Sequence, residues 1–533
     1  MHQKNTKWII VTGGVVSGLG KGTAAASIAR LLKNDDTKII TVKCDGYLNV
    51  DPGTMNPIEH GEVFVLEDGG EVDMDFGHYE RFLDINCKFC HNLTSGKIFN
   101  SVIEKERRGD YLGKTIQIIP HVINEITDKL YKIRDDENAD VMMVEIGGTV
   151  GDIENSWFVE SVRQLRRKVG SENISYVHLT YVPYLDSVGE PKSKPAQRDI
   201  AFLREKGINP DIVIARSKEH LSEKLRKKIA EMSDLDMEQI ISGRDIETIY
   251  EIPLMFSEQG MADFLSKKLN LGLSDMASWK TLVDRIKNPE KEITVAMCGK
   301  YTDLHDSYAS VIEALTHSAA HKSARVNIKW VETTDIENGK KNLEDILGNC
   351  SGIIVPGGFG GRGAEGKIKM IEYARKNNLP FLGLCYGLQL AVVEYARNVC
   401  GLDANTTEID EKTACPVIDI LPEQKAVCEK GASMRRGACI ADIKKGTKVF
   451  DLYKSEKVSE RHRHRYEVNP EFHSVLENNG LVFSGTSCNG RLVEFIEIPG
   501  HKYFVATQSH PELKSRLMNP APLFMGFVEA CLK

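Results

Sequence analysis

Residues 379–395 read LPFLGLCYGLQLAVVEY, and this passage constrains the architecture more than any other. Apolar Leu379–Leu384 has the length and composition of a buried strand, and Leu388–Tyr395 has helical spacing. Between them stands Gly383-Leu384-Cys385-Tyr386-Gly387. Glycines two residues to either side of a cysteine relieve crowding in a tight strand–turn–helix elbow, which presents the side chain at a helix N-terminus. A thiol placed there ionises more readily. A buried structural cysteine is the commoner fate of this residue type, but it gives the flanking glycines no purpose.

Outward from the elbow, short β-branched runs alternate with helical patterns along the whole chain, which predicts an α/β protein with parallel sheets covered by helices. Strand candidates in the first half are Trp8–Thr12, Lys38–Val42, Val141–Ile146, Ile174–Tyr181 and Asp211–Ala215, with a helix over Ala24–Leu32. Leu271–Lys291 is polar and helical, with Pro289 near its end, and reads as a linker. Ile293–Cys298 then restarts the alternation, and Gly352–Val355 follows as a strand. The expectation is two α/β domains, 1–270 and 293–533, joined by a linker at 271–292. A chain of 533 residues exceeds what one hydrophobic core holds together.

A cysteine nucleophile needs a base, and the base needs an orienting group. Ser509-His510-Pro511-Glu512 offers both. Pro511 biases His510 towards an extended conformation, so that His510 and Glu512 project to one side. The glycine turn Pro356-Gly357-Gly358-Phe359-Gly360-Gly361 follows a strand and is suited to presenting backbone N–H groups to an oxyanion. These elements point to an amide hydrolase.

The front half carries a different signature. Strand Trp8–Thr12 runs into GGVVSGLGKGT (13–23) and then a helix. Backbone N–H groups of such a loop close round phosphate oxygens, the helix N-terminus adds positive potential, and Lys21 supplies a full charge. The strict phosphate-loop spacing is not met: Val15 stands where its first glycine belongs, and Gly22 separates Lys21 from Thr23. A nucleotide site that does chemistry also needs Mg²⁺ held by carboxylates. Glu145, at the end of an apolar strand, is one candidate. Asp73 and Asp75, at alternate positions of a segment read as extended, are the others. The basic stretch Lys192–Gln197 reads as a loop rich in Pro and Gly.

Composition restrains other readings. With 41% apolar and 27% charged residues and a net charge of −7, nothing suggests general nucleic-acid or membrane binding. The Arg461-His-Arg-His-Arg465 run is too short a footprint for nucleic acid, and an arginine there suits the α-carboxylate of a small amino acid. Twelve scattered cysteines and the lack of a signal peptide or an apolar span fit a reducing, cytoplasmic setting. Cys87-Lys-Phe-Cys90-His91 has the spacing of a covalent haem site, yet it reads as a loop with two incidental thiols.

Several stretches resemble the CTP synthase family almost motif for motif. They are VTGGVVSGLGKG (11–22), KCDGYLNVDPGTMNPIEHGEVFV (43–65), GHYERF (77–82), ERRGDYLGKTIQIIPH (106–121), EIGGTVGDIE (145–154), GEPKSKPAQ (189–197), PGGFGGRG (356–363), GLCYGLQ (383–389) and RHRHRYEVN (461–469). The resemblance implies an N-terminal P-loop-like synthetase domain and a C-terminal class I glutamine amidotransferase domain. ATP would lie on Gly18, Leu19, Gly20, Lys21, Gly22 and Thr23, with Asp75 nearby and Arg244, Asp245 and Ile246 at the base; Asp75 and Glu145 would hold Mg²⁺. UTP, or CTP as feedback inhibitor, would contact Ser17, Asp152, Ile153, Glu154, Lys192, Ser193, Lys194, Pro195, Ala196, Gln197 and Lys228. Cys385, His510 and Glu512 match the catalytic triad, and Gly358, Tyr386, Gly387, Leu388, Gln389, Glu408 and Arg465 match the glutamine pocket. The family further implies GTP activation, a homotetramer and filaments. Asp84–Thr94, Glu423–Ala432 and Tyr386, where leucine is common, depart from the usual pattern. An amidoligase acting on a cofactor carboxylate would share the loop and triad but lack the 43–65 and 189–197 blocks. A non-catalytic filament scaffold would have no need of Cys385 or Lys21.

Overall fold

The computed structural model describes residues 5–55, 61–187, 189–299, 305–340, 342–420 and 434–533. The atypical stretch Glu423–Ala432 lies outside the described residues. The chain divides into two compact units, Met1–Pro52 with His78–Val283, and Gly53–Gly77 with Asp284–Lys533.

The first unit is built on a seven-stranded sheet in the order Ile240–Arg244, Ile212–Ser217, Ile174–Tyr181, Lys7–Gly13, Val141–Ile146, Ile39–Asp45 and Asn92–Thr94. Every neighbouring pair runs parallel. Nearly every residue of the central strands is buried, as a parallel sheet covered on both faces requires. On one face Ile10, Val42, Val144 and Tyr176 pack with Ile126, Leu130, Phe158 and Leu165 of the helices Ile123–Glu137 and Ser156–Val169. The alanine-rich helix Lys21–Leu32 is buried along almost its full length.

The second unit carries a nine-stranded sheet. Ala324–Glu332, Lys291–Gly299, Gly352–Val355, Phe381–Leu384 and Phe504–Thr507 run parallel. Val493–Glu497, Val482–Ser487, Arg435–Ile443 and Lys457–His464 extend it antiparallel. The expectation of parallel sheets thus covers only the front of this one. The later strands are joined by short helices or turns rather than full crossovers, and short returns favour antiparallel pairing. The segment read as a linker contains the helix Ala277–Lys287, whose Trp279 is buried.

The pair Phe64–Val65 and Glu71–Val72, a short antiparallel hairpin, belongs to the second unit. Gly437, at φ 82°, allows close approach there: a Cβ on it would stand 2.6 Å from Gly69 N. Asp73 and Asp75 do not share an extended segment. Asp75 opens the helix Asp75–Leu83, and its N–H donates to Asp73 Oδ1 at 2.9 Å. Asp73 therefore acts as a helix cap, the local bond that short carboxylates form in place of a strand.

Candidate active sites

In the second unit, the strand Phe381–Leu384 lies between Gly352–Val355 and Phe504–Thr507 and ends directly on Cys385. Cys385 sits at φ 50° and ψ −99°, immediately before the helix Tyr386–Asn398. A non-glycine residue held there stores of order 1–3 kcal/mol of strain and persists only where packing enforces it. The packing is visible in the flanking glycines. A Cβ on Gly387 would lie 2.1 Å from the Val355 carbonyl oxygen, and one on Gly383 would lie 2.8 Å from Ala506 Cβ. Helix and sheet approach too closely for any side chain at either position, so the turn is forced and the sulfur is fixed.

His510 follows the neighbouring strand, and its N–H donates to the Arg461 carbonyl at 2.7 Å. Its Nδ1 is 2.6 Å from Glu512 Oε1, and the Cys385 sulfur lies close enough to act on its charge. Burial opposes charge on this imidazole, but Glu512 and the Cys385 sulfur outweigh it and hold its pKa well above the ordinary histidine value. That balance favours the imidazolium form of His510. The sequence expectation placed His510 and Glu512 on an extended stretch. Instead His510 caps the one-turn helix Pro511–Lys514, with Pro511 in its first turn, where a proline's missing N–H costs nothing.

The glycine turn rests against this pair. A Cβ on Gly357 would meet His510 Cε1 at 2.8 Å. Gly360 N–H donates to Glu408 Oε1 at 2.9 Å, and the Tyr386 hydroxyl donates to the Gly360 carbonyl at 2.7 Å. A Cβ on Gly358 would be 3.6 Å from Tyr386 Cδ1, in ordinary contact. Gln389 Nε2 donates to the Tyr466 carbonyl at 2.9 Å, and both Glu408 and Arg465 act electrostatically on the Tyr466 phenol. Cys385, Gly358, Tyr386, Gln389, Glu408 and Arg465 therefore lie in one neighbourhood.

The arginine run has its own explanation. Arg461, fully buried, pairs with Glu67 at 3.2 Å and donates to the Val65 carbonyl at 3.1 Å. Arg463 Nε and Arg436 Nη1 share Glu71, at 2.8 and 2.7 Å. These side chains are anchors for the 64–72 hairpin. Sequence reading missed Gln508, fully buried, whose Nε2 lies 3.6 Å from Cys385 Sγ. Its only signal was its position two residues before His510.

In the first unit, the loop after Lys7–Gly13 leads into the helix Lys21–Leu32. Gly18 and Gly20 adopt φ 75° and 84°, and Val15 joins them at 72°, so the position where a glycine was expected keeps a glycine-like backbone. A Cβ on Gly14 would fall 1.7 Å from Asp199 Oδ1, so Gly14 makes the close approach. Lys21 is the first helical residue and is buried along its stem, with Cδ packed over Gly13. The Gly13 carbonyl accepts from Val150 N at 2.8 Å, which ties this loop to the 145–154 segment.

Glu145 is buried at the end of its strand, in register with Val11 and Lys43, and accepts from the Tyr79 hydroxyl. Asp152 Oδ2 accepts from Thr149 N at 3.1 Å, while Ile153 is 78% exposed and Glu154 is also exposed. A cavity of about 510 Å³ beside them is lined by Val15, Thr149, Val150, Lys194, Pro195 and Asp199 among others. Lys194–Gln197 is not a loop. It is the first turn of the helix Lys194–Glu205, where proline is favoured, and Gln197 Nε2 donates to Ser193 Oγ at 3.0 Å. Lys192 pairs with Glu190, and Lys228, from the helix Glu223–Ser233, is near enough to help depress that carboxyl. Arg244 bonds Glu251 at 3.2 Å and Asp245 bonds Arg216 at 3.0 Å, at the far edge of the sheet. A second unforeseen element is the chain Thr12 Oγ1–His178–Asp199, at 2.9 and 3.0 Å, entirely buried behind Gly14. One histidine in an apolar strand gave no hint of it. Cys87 is buried against Thr41 at 3.5 Å, and Cys90 is exposed and in no disulfide.

A thiol set to open an amide and a loop shaped for a nucleoside triphosphate, on one chain, describe a class: an amidotransferase joined to a phosphate-using ligase. Residues 7–271 match the family model for the CTP synthase N-terminus, and 303–530 match that for class I glutamine amidotransferase. The CTP synthase of Methanococcus maripaludis is 51% identical over 535 residues, covering 99% of this chain and 100% of that one. That of Methanocaldococcus jannaschii is 52% identical over 538 residues, covering 99% of each. Among solved structures, the glutaminase domain of Trypanosoma brucei CTPS with bound acivicin is 36% identical, covers 45% of this chain and 94% of that one, and gives a TM-score of 0.42. The chain belongs to the CTP synthase family and is a glutamine-hydrolysing ligase. Among the described residues no helix is long and apolar enough to cross a membrane.

Proposed function

We propose that the chain aminates UTP to CTP at the expense of ATP, with each half of the work assigned to its own set of residues. Family membership supports the overall conversion, with glutamine as nitrogen donor. The observation that carries the residue assignment is the sulfur of Cys385, fixed by a strained elbow beside an imidazole that Glu512 holds.

Cys385 thiolate attacks the glutamine amide carbon while backbone N–H groups at Gly357–Gly358 of the glycine turn, the Gly360 N–H being engaged by Glu408, face the developing oxyanion. His510 gives its proton to the departing nitrogen, then takes one from the water that opens the glutamyl thioester. Gly358, Tyr386, Gly387, Leu388, Gln389, Glu408 and Arg465 form the amino-acid pocket in this reading. Ammonia is mostly protonated near neutral pH, so releasing it inside the protein as NH₃ preserves its reactivity.

In the synthetase half, Lys21 and the backbone of residues 18–23 hold the triphosphate of ATP. Ser17, residues 152–154 and 192–197, with Lys228, receive UTP. Phosphorylation of the uracil 4-oxygen converts a poor leaving group into a good one, which ammonia displaces at C4. Glu145 fits a Mg²⁺ ligand, being a hard oxygen donor buried at the sheet edge in register with the strand that feeds the loop. The ion would neutralise phosphate charge; Asp75 as its second ligand rests on the resemblance alone. GTP activation, CTP feedback, a homotetramer stacking into filaments and a cytoplasmic setting rest on the same ground.

Incubation with UTP, ATP, Mg²⁺ and glutamine tests the assignment. The expected result is the absorbance change of uracil becoming cytosine, dependent on all four. Glutamine hydrolysis indifferent to UTP and ATP would contradict it.

A further inference from the structure

The side-chain amide of Gln508 is oriented by its surroundings, and the orientation has a chemical consequence. The Tyr466 carbonyl can only accept, so Gln389 turns its Nε2 towards it at 2.9 Å. The same nitrogen reaches Gln508 Oε1 at 3.3 Å. Gln508 is left with its NH₂ facing Cys385 Sγ at 3.6 Å.

The Tyr466 carbonyl fixes a second chain. His464 Nδ1 lies 3.2 Å from it and must donate. His464 Nε2 then accepts from His462 Nδ1 at 2.9 Å, which leaves the lone pair of His462 Nε2 towards Glu494 Oε2 at 3.7 Å. Burial lowers the pKa of His462, which keeps this imidazole neutral in that tautomer. The Glu494 backbone carbonyl accepts from Gln508 N–H at 2.9 Å. Arg435, from the next strand, bonds Glu494 at 2.6 Å and Glu467 at 3.3 Å. His510 and Arg435 face the histidine pair as further charges, and Arg491 faces Glu467.

A thiolate at Cys385 needs such a donor. The Arg463 carbonyl, 3.9 Å from the sulfur, suits a thiol proton and offers nothing to an anion. His510 changes its charge during the cycle proposed above, whereas an amide N–H does not. We propose that Gln508 donates a hydrogen bond from Nε2 to the Cys385 thiolate, and that Gln389, turned by the Tyr466 carbonyl it shares with His464, holds the amide in that orientation. This rests on Cys385 being the nucleophile.

The test is alkylation of the full-length enzyme by iodoacetamide across a pH series. Modification is read at the Cys385 peptide by mass spectrometry, because Cys90 and Cys488 are exposed and will be alkylated as well. In Gln508→Leu the Cys385 rate near neutral pH should fall about tenfold and the profile should move to higher pH, with glutaminase kcat falling and KM for glutamine nearly unchanged. A profile identical to wild type in a folded variant overturns the inference. Should Gln508→Leu not fold, Gln508→Glu keeps the shape while removing the donor, and the same displacement or its absence decides. If Cys385→Ala retains glutaminase activity, the nucleophile assignment fails instead, and that outcome is read separately.

Discussion

The phosphate loop and the cysteine elbow are both glycine-rich turns between a parallel strand and a helix, yet they use glycine for opposite ends. In the elbow, Gly383 and Gly387 are needed because neighbouring atoms crowd the backbone, at 2.8 and 2.1 Å from where a side chain would begin. In the loop, Gly14 at its start is crowded in the same way by Asp199, but nothing lies within 4 Å of a Cβ built on Gly18 or Gly20, and these two are needed for their left-handed backbone. Val15 and Val16 are 42% and 45% exposed there, whereas Cys385 is 4% exposed. The elbow is a finished site that packing holds in shape without substrate. The loop is open to solvent at Gly18 and Gly20, and in the proposed function its partner is the phosphate chain of ATP.

Substitutions can break or sharpen this contrast. Lys21→Ala should lower CTP formation by about 10²–10³-fold, the range for removing one preorganised charge partner, with glutamine and with ammonia alike. Unchanged synthesis from ammonia would remove Lys21 from the phosphate site. Gly387→Ala drives a methyl into the Val355 carbonyl and should cost about 3 kcal/mol of stability, at the upper end of overpacking effects, seen as a lowered thermal midpoint. Gly18→Ala meets open space and should cost only about 1 kcal/mol, for the left-handed backbone, while raising KM for ATP. Equal destabilisation by the two would erase the distinction.

A smaller effect concerns the buried charges behind the elbow. Burial, partly opposed by Arg435 and reinforced by Glu494, pushes the Glu467 carboxyl up to about 8. The folded state then holds a proton that the unfolded chain releases near its ordinary value of 4.5. Stability from this group is full below that value and declines as pH rises to about 8. Calorimetric midpoints across pH 5–9 should fall more steeply for wild type than for Glu467→Gln, and parallel curves would contradict the shift.

Much of this was legible in the sequence because it is local. The strands Val141–Ile146, Ile174–Tyr181 and Gly352–Val355 match their apolar runs residue for residue, and the Cys385 elbow follows from two glycines and a strand. His510 and Glu512 were found by spacing, although a one-turn helix rather than an extended stretch brings them together. Two local features were misread: Asp73 bonds Asp75 N–H at a helix start, and Lys194 opens a helix because Pro195 suits a first turn. The rest of what escaped is set by distant partners: the antiparallel half of the second sheet, the Glu67 and Glu71 pairings of the arginine run, and the contacts around Gln508 join residues tens to hundreds of positions apart. No periodicity records such pairings.

The division of labour between the two sites is tested most directly by Cys385→Ala, assayed for CTP formation with glutamine and then with ammonium salt at saturating UTP and ATP. Glutamine-supported synthesis should fall by at least about 10³-fold, as expected for loss of a nucleophile, while ammonia-supported synthesis stays within about twofold of wild type. Equal loss with both nitrogen sources, or survival of the glutamine reaction, would contradict it.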